Sequence, residues 1–231
     1  MREIVLDTET TGLYPEQGHR VVEIGCVELI NHVATTKHFH QYINPERPMD
    51  ADAEAVHGLT DAFLSDKPVF AEIADAFLEF VGDDPLVIHN AAFDVGFLNA
   101  ELSRLGIAAL PMDRAVDTVK IARRRFPGAQ ASLDALCRRY GIDLSDRSMH
   151  GALLDANLLA KVYLELRGGS QPNLVLGTEA TEDEAGPLTV PTEVRPPREH
   201  QPSDAEAAAH AAFLKKLSNP IWRQGEPDRS S

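Results

Sequence analysis

Cysteine, tryptophan and positive charge are all scarce in this chain, and each scarcity narrows what it can be. Only two cysteines, Cys26 and Cys137, occur in 231 residues. Each lies among apolar neighbours far from the other, which argues against a disulfide framework or a Cys/His zinc spacing and fits buried thiols in a reducing compartment. No apolar run approaches the ~18 residues needed to span a bilayer. The opening MREIVLDTET enters a strand pattern at once, so no signal peptide is expected and the expected location is the cytoplasm. Lys and Arg number 22 against 36 Asp and Glu, a formal net charge of −14, with a sequence pI of about 5.0. Proteins that grip nucleic acid through phosphates alone are usually basic. A free-standing nucleic-acid binder is therefore a poor fit. An enzyme of this charge acting on a polyanion needs metal ions to offset repulsion, or a partner to hold the substrate.

What is present is an ordered series of strand and helix patterns. Residues 4–6 (IVL) read as a buried central strand, and 21–29 and 37–43 as two more, with connections short enough for antiparallel neighbours. Residues 54–64 read as helical around VHGLT, and 70–81 carry an i, i+3, i+4, i+7 apolar stripe. A further buried strand spans 86–89. Asn90 is placed to cap a helix over 91–105 whose Phe93, Phe97 and Leu98 face the core. Residues 115–122, 132–140 and 151–166 read as three more helices. A strand meander followed by alternating strands and helices predicts an α/β fold, a mixed sheet covered by helices on both faces. Composition changes at Gly168, dividing the chain into a domain over 1–167, a flexible linker over 168–202 and a C-terminal segment over 203–231. In that last segment Ser203 and Glu206 have capping-box spacing before AAAHAAFLKKL. It reads as an amphipathic helix with Lys215 and Lys216 in its last turn, ended by Asn219-Pro220 and followed by Trp222.

Four acids and one histidine in three short segments carry the chemistry: Asp7 and Glu9 in LDTETTGL, Asp94 in HNAAFDVGFL, and His150 with Asp155 in HGALLD. Alternation along a strand sends Asp7 and Glu9 to one face, where two close buried carboxylates repel unless a cation joins them. Alone, D-x-E is as readily a solvated strand end. Asp94 falls early in its helix, which has the plain explanation of a favourable helix-dipole contact. His89 reads as a structural residue. The five-residue spacing of His150 and Asp155 puts them ~140° apart on a continuous helix. They can serve one centre only if His150 lies in the loop before it, as the following Gly151 suggests. Together these groups supply what two-metal phosphodiester hydrolysis needs: hard oxygen ligands and an imidazole that titrates near neutral pH.

These segments resemble the DEDD superfamily of 3′→5′ exonucleases, in the subclass with an H-x₄-D third motif (DEDDh). The likeness is tightest to the proofreading (epsilon) subunits of bacterial DNA polymerase III and covers about residues 2–167, through LDTETTGL, VIHNAAFDVGFL, SLDALC and HGALLDA. It implies a ribonuclease-H-like fold, with Asp7, Glu9, Asp94 and Asp155 as ligands of two divalent ions, Mg²⁺ or Mn²⁺, and His150 as general base. Asp7, Glu9 and Asp155 would also meet substrate. His57 falls where the family contacts the terminal nucleotide, and Asp52 where relatives often carry glutamate. The implied reaction removes single-stranded or mismatched DNA 3′ ends as 5′-monophosphates.

Beyond Gly168 the resemblance is much weaker. Gln171, Leu174 and Leu176 form either a sliding-clamp-binding peptide or ordinary linker. Phe213, Leu214, Leu217 and Trp222 suit a partner-docking element, which by resemblance meets the polymerase catalytic (alpha) subunit. A small theta-like subunit would be a further partner on the domain core. Two rival readings stand beside this one: an RNA-trimming 3′→5′ exonuclease of the ribonuclease T or oligoribonuclease type, and a non-catalytic subunit that stabilises the polymerase. The first generally lacks a linker and docking tail; the second has no use for four acids and a histidine.

Overall fold

The computed structural model describes residues 1–145, 149–169 and 202–216. Two units divide the chain, Met1–Leu174 and Val175–Ser231. The first is built on five strands, β1 (Arg2–Thr10), β2 (Val21–Ile30), β3 (Val33–Tyr42), β4 (Leu86–Ile88) and β5 (Ala115–Asp117), in the order β3-β2-β1-β4-β5. The β1–β2 and β2–β3 pairs are antiparallel, and β1–β4 and β4–β5 are parallel. This is the mixed sheet expected, with β1 at its centre.

Alternation along β1 sorts the core into two layers. Ile4 and Leu6 pack with α3 (Phe70–Val81) and α4 (Ala91–Arg104) on one face, where Phe77, Phe97 and Leu98 are buried. Val5 packs on the other face with α6 (Leu133–Tyr140) and α7 (Ala152–Leu166), around Leu136, Leu159 and Tyr163. Cys26 and Cys137 are both buried, one in each layer. Among the described residues no helix is long and apolar enough to cross a membrane.

Several elements differ from the sequence reading, each for a local reason. Residues 115–122 are not one helix: 115–117 form β5, and α5 (Thr118–Arg125) begins only after Asp117, whose carboxylate accepts from the Val119 and Lys120 amides. A three-residue strand is too short to show a period. The helix expected over 54–64 is two, α1 (Ala51–His57) and α2 (Asp61–Leu64), split where Gly58 adopts φ 72°. Asn90 precedes α4, but its side chain makes no capping hydrogen bond. Its backbone is left-handed (φ 72°, ψ 57°) where a capping residue is extended, a conformation asparagine tolerates better than most. β1 runs from Arg2 to Thr10, well past the IVL run, and β3 starts at Val33.

In the second unit, α8 (Asp204–Leu214) opens with the Ser203–Glu206 capping box. Alanines occupy all its sides and none of its residues is buried, so it lacks the amphipathic stripe expected; Lys215 and Lys216 follow the helix and are not part of its last turn. Gln171, Leu174, Leu176, Leu217 and Trp222 lie outside the described residues.

Phe77 is fully buried at the centre of the α3–α4 layer. Phe77→Ala is expected to lower unfolding free energy by roughly 3–5 kcal/mol, read as a lower urea midpoint with an unchanged slope.

Candidate active site

β1 outruns its parallel neighbour. β4 pairs only with Ile4–Leu6, so residues 7–10 extend beyond the carboxyl end of β4, where open α/β sheets hold their ligands. Asp7 and Glu9 share the face of Val5, toward α7. Thr8 points to the α4 face and fixes Asp94: its amide and hydroxyl both donate to Asp94 Oδ1, at 3.1 and 2.8 Å. The left-handed turn at Asn90 reverses the chain between β4 and α4 and sets Asp94 in the first turn of that helix.

Asp155 lies in the first turn of α7, and His150 in the loop before Gly151. His150 Nδ1 is 3.2 Å from Asp155 Oδ2, with the carboxylate buried and the imidazole about half exposed. One ligand atom from each of Glu9, His150 and Asp155 lies within 4.8 Å of the others. A cavity of about 370 Å³ is lined by Asp7, Glu9, Asp94, His150 and Asp155 together. The structure thus brings together all five residues of the three sequence segments.

Two contacts place α7 and its loop. Gly25 is the β2 partner of Asp7, and a Cβ there would meet the Ala152 carbonyl carbon and the Leu153 nitrogen at 2.3 Å. Only glycine lets the first turn of α7 approach the strand so closely. On the other side of the loop the His150 amide donates to the Val56 carbonyl at 3.3 Å, and the Met149 side chain lies against Gly58.

Burial pushes the Asp7 carboxyl well above the ordinary carboxylate range, and the charges of Asp94, Glu9, Asp155 and Glu23 push it further. Asp94 is raised to about 7 by burial, although the Thr8 hydrogen bonds pull it down. Glu23 is buried across the strand pair from Glu9, with His40 Nε2 at 2.7 Å. Carboxylates stacked this closely, with two driven toward the protonated form, are a donor set suited to hard divalent cations.

Asp52 and His57 are not at this cluster. They line an adjoining cavity of about 520 Å³ that shares Thr8, Glu9 and Phe93 with the first. His57 is buried and its pKa lowered, burial being the main cause. Its Nδ1 accepts from the Leu59 amide at 3.1 Å, which leaves Nε2 to donate to the Thr10 carbonyl at 3.3 Å. Asp52 is exposed at the rim. His89 bonds Thr118 Oγ1 at 2.9 Å and also borders the acid cavity. Sequence reasoning missed the apolar walls of the second cavity, Leu13, Tyr14 and Val56, and treated Phe93 as core, although it is only partly buried and lines both cavities. It also missed Thr8, Gly25 and Glu23. Only Glu23 left a trace, as a lone acid inside the apolar run VVEIGC.

Comparison with known proteins agrees with this arrangement. The RNase T family model, described as an exonuclease, matches residues 4–163. Exonuclease X in complex with 5′ overhanging duplex DNA superposes with a TM-score of 0.57 at 28% identity, over 71% of this chain and 90% of that one. The nuclease domain of 3′hExo, a DEDDh family member bound to rAMP, shares the fold at a TM-score of 0.62 and 20% identity, over 71% of this chain and 90% of its own. DNA polymerase III subunit epsilon of Rickettsia prowazekii is 48% identical over 94% of this chain and 97% of its own length. Its Escherichia coli K12 counterpart is 44% identical over 96% and 97%. The chain belongs to the exonuclease family and, within it, to the DNA polymerase III epsilon subunits. Membership of the exonuclease family and the clustered Glu9, His150 and Asp155 fit the use of divalent metal ions.

Two outcomes are expected from this geometry. Gly25→Ala should push α7 off β2 and displace Asp155, cutting nuclease kcat by roughly 10²-fold, while circular dichroism shows the fold retained. The second concerns pH. The folded-state pKa values of Asp7 and Asp94 exceed those of the unfolded chain, so metal-free protein gains stability from them below about pH 4. The Asp94 part of that gain is lost as pH rises through about 7, and the Asp7 part as pH rises above the ordinary carboxylate range. Millimolar Mg²⁺ should therefore raise Tm more at pH 8 than at pH 5, and Asp94→Asn should shrink that difference. An equal Mg²⁺ increment at both pH values contradicts the assignment.

Proposed function

We propose that this chain is the proofreading 3′→5′ exonuclease of a replicative DNA polymerase, removing mismatched 3′-terminal nucleotides as 5′-monophosphates. The observation that supports it is the meeting of Asp7, Glu9, Asp94, Asp155 and His150 around one cavity. Asp7, Glu9 and Asp155 would hold one divalent ion, and Asp7 with Asp94 a second, Mg²⁺ or Mn²⁺. When bound, such ions act as Lewis acids toward the charge developing on the phosphate and leaving oxygen. His150 takes the proton from the attacking water. Asp155, 3.2 Å from Nδ1, stabilises the imidazolium that results.

The second cavity receives the terminal nucleoside. Both ring nitrogens of His57 are engaged by backbone, so His57 meets the nucleotide through its ring and not through a hydrogen bond to a base. Leu13, Tyr14, Val56 and Phe93 offer apolar surface that any base can cover, while the exposed Asp52 carboxylate meets the sugar. A paired terminus must be unstacked before it enters. Selection therefore falls on frayed ends, without reading base identity.

Residues 1–167 form the nuclease domain, 168–202 a linker and 203–231 the segment that docks on the polymerase catalytic (alpha) subunit. Support for docking comes from α8, which buries none of its residues and leaves Phe213 56% exposed. Gln171, Leu174 and Leu176 serve as a sliding-clamp peptide, and the location is the cytoplasm.

Digestion of a 3′-mismatched primer with Mg²⁺, with and without the polymerase catalytic subunit, tests the reading. The mismatched end should be consumed faster than the paired one, and His150→Ala should lower kcat by roughly 10²–10⁴-fold. Faster cleavage of short RNA than of mismatched DNA would point to the RNA-trimming alternative.

A further inference from the structure

Positive charge in this acidic chain collects in one segment. Residues 118–140 hold six of the 22 Lys and Arg but only one, Asp134, of the 36 Asp and Glu. The C-terminal ends of α5 and α6 meet there around Phe126. Arg139 lies 4.4 Å from its ring centroid and Arg125 5.8 Å, with the Tyr140 ring at 6.1 Å.

Two of these arginines have structural work. Arg125 Nη1 donates to the Glu165 and Leu166 carbonyls at 3.1 and 2.7 Å, closing the end of α7, and Arg139 covers Phe126. The others do not. Arg123 and Arg124 are exposed, and Arg138, 71% exposed, has one i,i+4 pairing with Asp134 at 3.5 Å. Basic residues at helix C-termini have a plain use, complementing the helix dipole. That use does not account for Arg138, which lies on the helix that reaches the acid cavity. The opposite end of α6, Ser132 to Asp134, is a wall of that cavity. At ~1.5 Å per helical residue, Arg138 lies about 8 Å further along the axis from Leu133. Stacked nucleotides advance ~3.4 Å each along a strand, so that distance is two to three phosphates.

We infer that Arg123, Arg124 and Arg138 form a track for the backbone phosphates of the substrate DNA strand, on the 5′ side of the bond being cut. The inference rests on the exonuclease reading above. A guanidinium, planar and always charged, suits a phosphate diester. The surface supplies what the net charge of the chain denies: a local attraction for a polyanion beside a pocket of carboxylates. It also gives the enzyme a grip on the strand that is independent of the terminal base.

The test uses the full chain carrying R123A/R124A/R138A and two substrates, thymidine 5′-monophosphate p-nitrophenyl ester and a ten-nucleotide DNA with a free 3′ end. The ratio of kcat/KM for the oligonucleotide to that for the ester is expected to fall at least tenfold at low salt. The log–log salt dependence of oligonucleotide binding should flatten by roughly 2, three lost contacts at ~0.7 each on a single strand. The triple lysine variant should keep most of that slope. An unchanged ratio and slope in a variant of unaltered Tm overturns the inference. Fluorescence anisotropy of the labelled oligonucleotide in EDTA reads the surface separately from catalysis. If wild type cleaves neither substrate but loses DNA affinity in the triple variant, the function fails and the track stands. If the arginines govern binding of a polyglutamate peptide but not of DNA, the surface is a protein-docking site and the inference fails.

Discussion

Like charges crowded at a buried strand end are the constraint around which this domain is organised. Asp7 sits at the centre of the sheet with Asp94, Glu9, Asp155 and Glu23 near enough to raise its pKa. Nothing in hydrophobic packing favours that crowding. It persists because surrounding structure fixes each acid separately: Thr8 binds Asp94 through two hydrogen bonds, and Gly25 admits the helix that carries Asp155. Under the proposed function a divalent cation would turn that repulsion into coordination.

The division of labour along β1 follows from strand alternation. Asp7 and Glu9 face one layer and Thr8 the other, so three consecutive residues reach both helical faces. β1 extends past β4, and that overhang opens the sheet where the cavity forms. The adjoining cavity grows from the same strand end and from α1. One segment thus builds both the acid cavity and its apolar neighbour.

Much of this was legible in the residues. The apolar periods of 70–81 and of the helix after Ser132 located those helices within a residue, because amphipathic stripes are long signals. The four acids and His150 stood out only as a set, through the combination of their three segments and the likeness of those segments to exonuclease motifs. What escaped was local or relational. β5 was too short to register, and the left-handed turn at Asn90 is indistinguishable in sequence from a cap. Gly25, Thr8 and the apolar walls of the second cavity acquire meaning only from what tertiary structure sets against them. The uniform scatter of alanines in α8 defeated an expectation of amphipathicity built on spacing alone.

One modest feature has reach beyond its size. Val56 accepts the His150 amide, and Met149 rests on Gly58, so the helix that walls the second cavity and the loop that bears the imidazole are latched together. The two segments share a backbone hydrogen bond and a flexible thioether contact. Under the proposed function, that latch would tie the seating of a strand end to the placement of the imidazole.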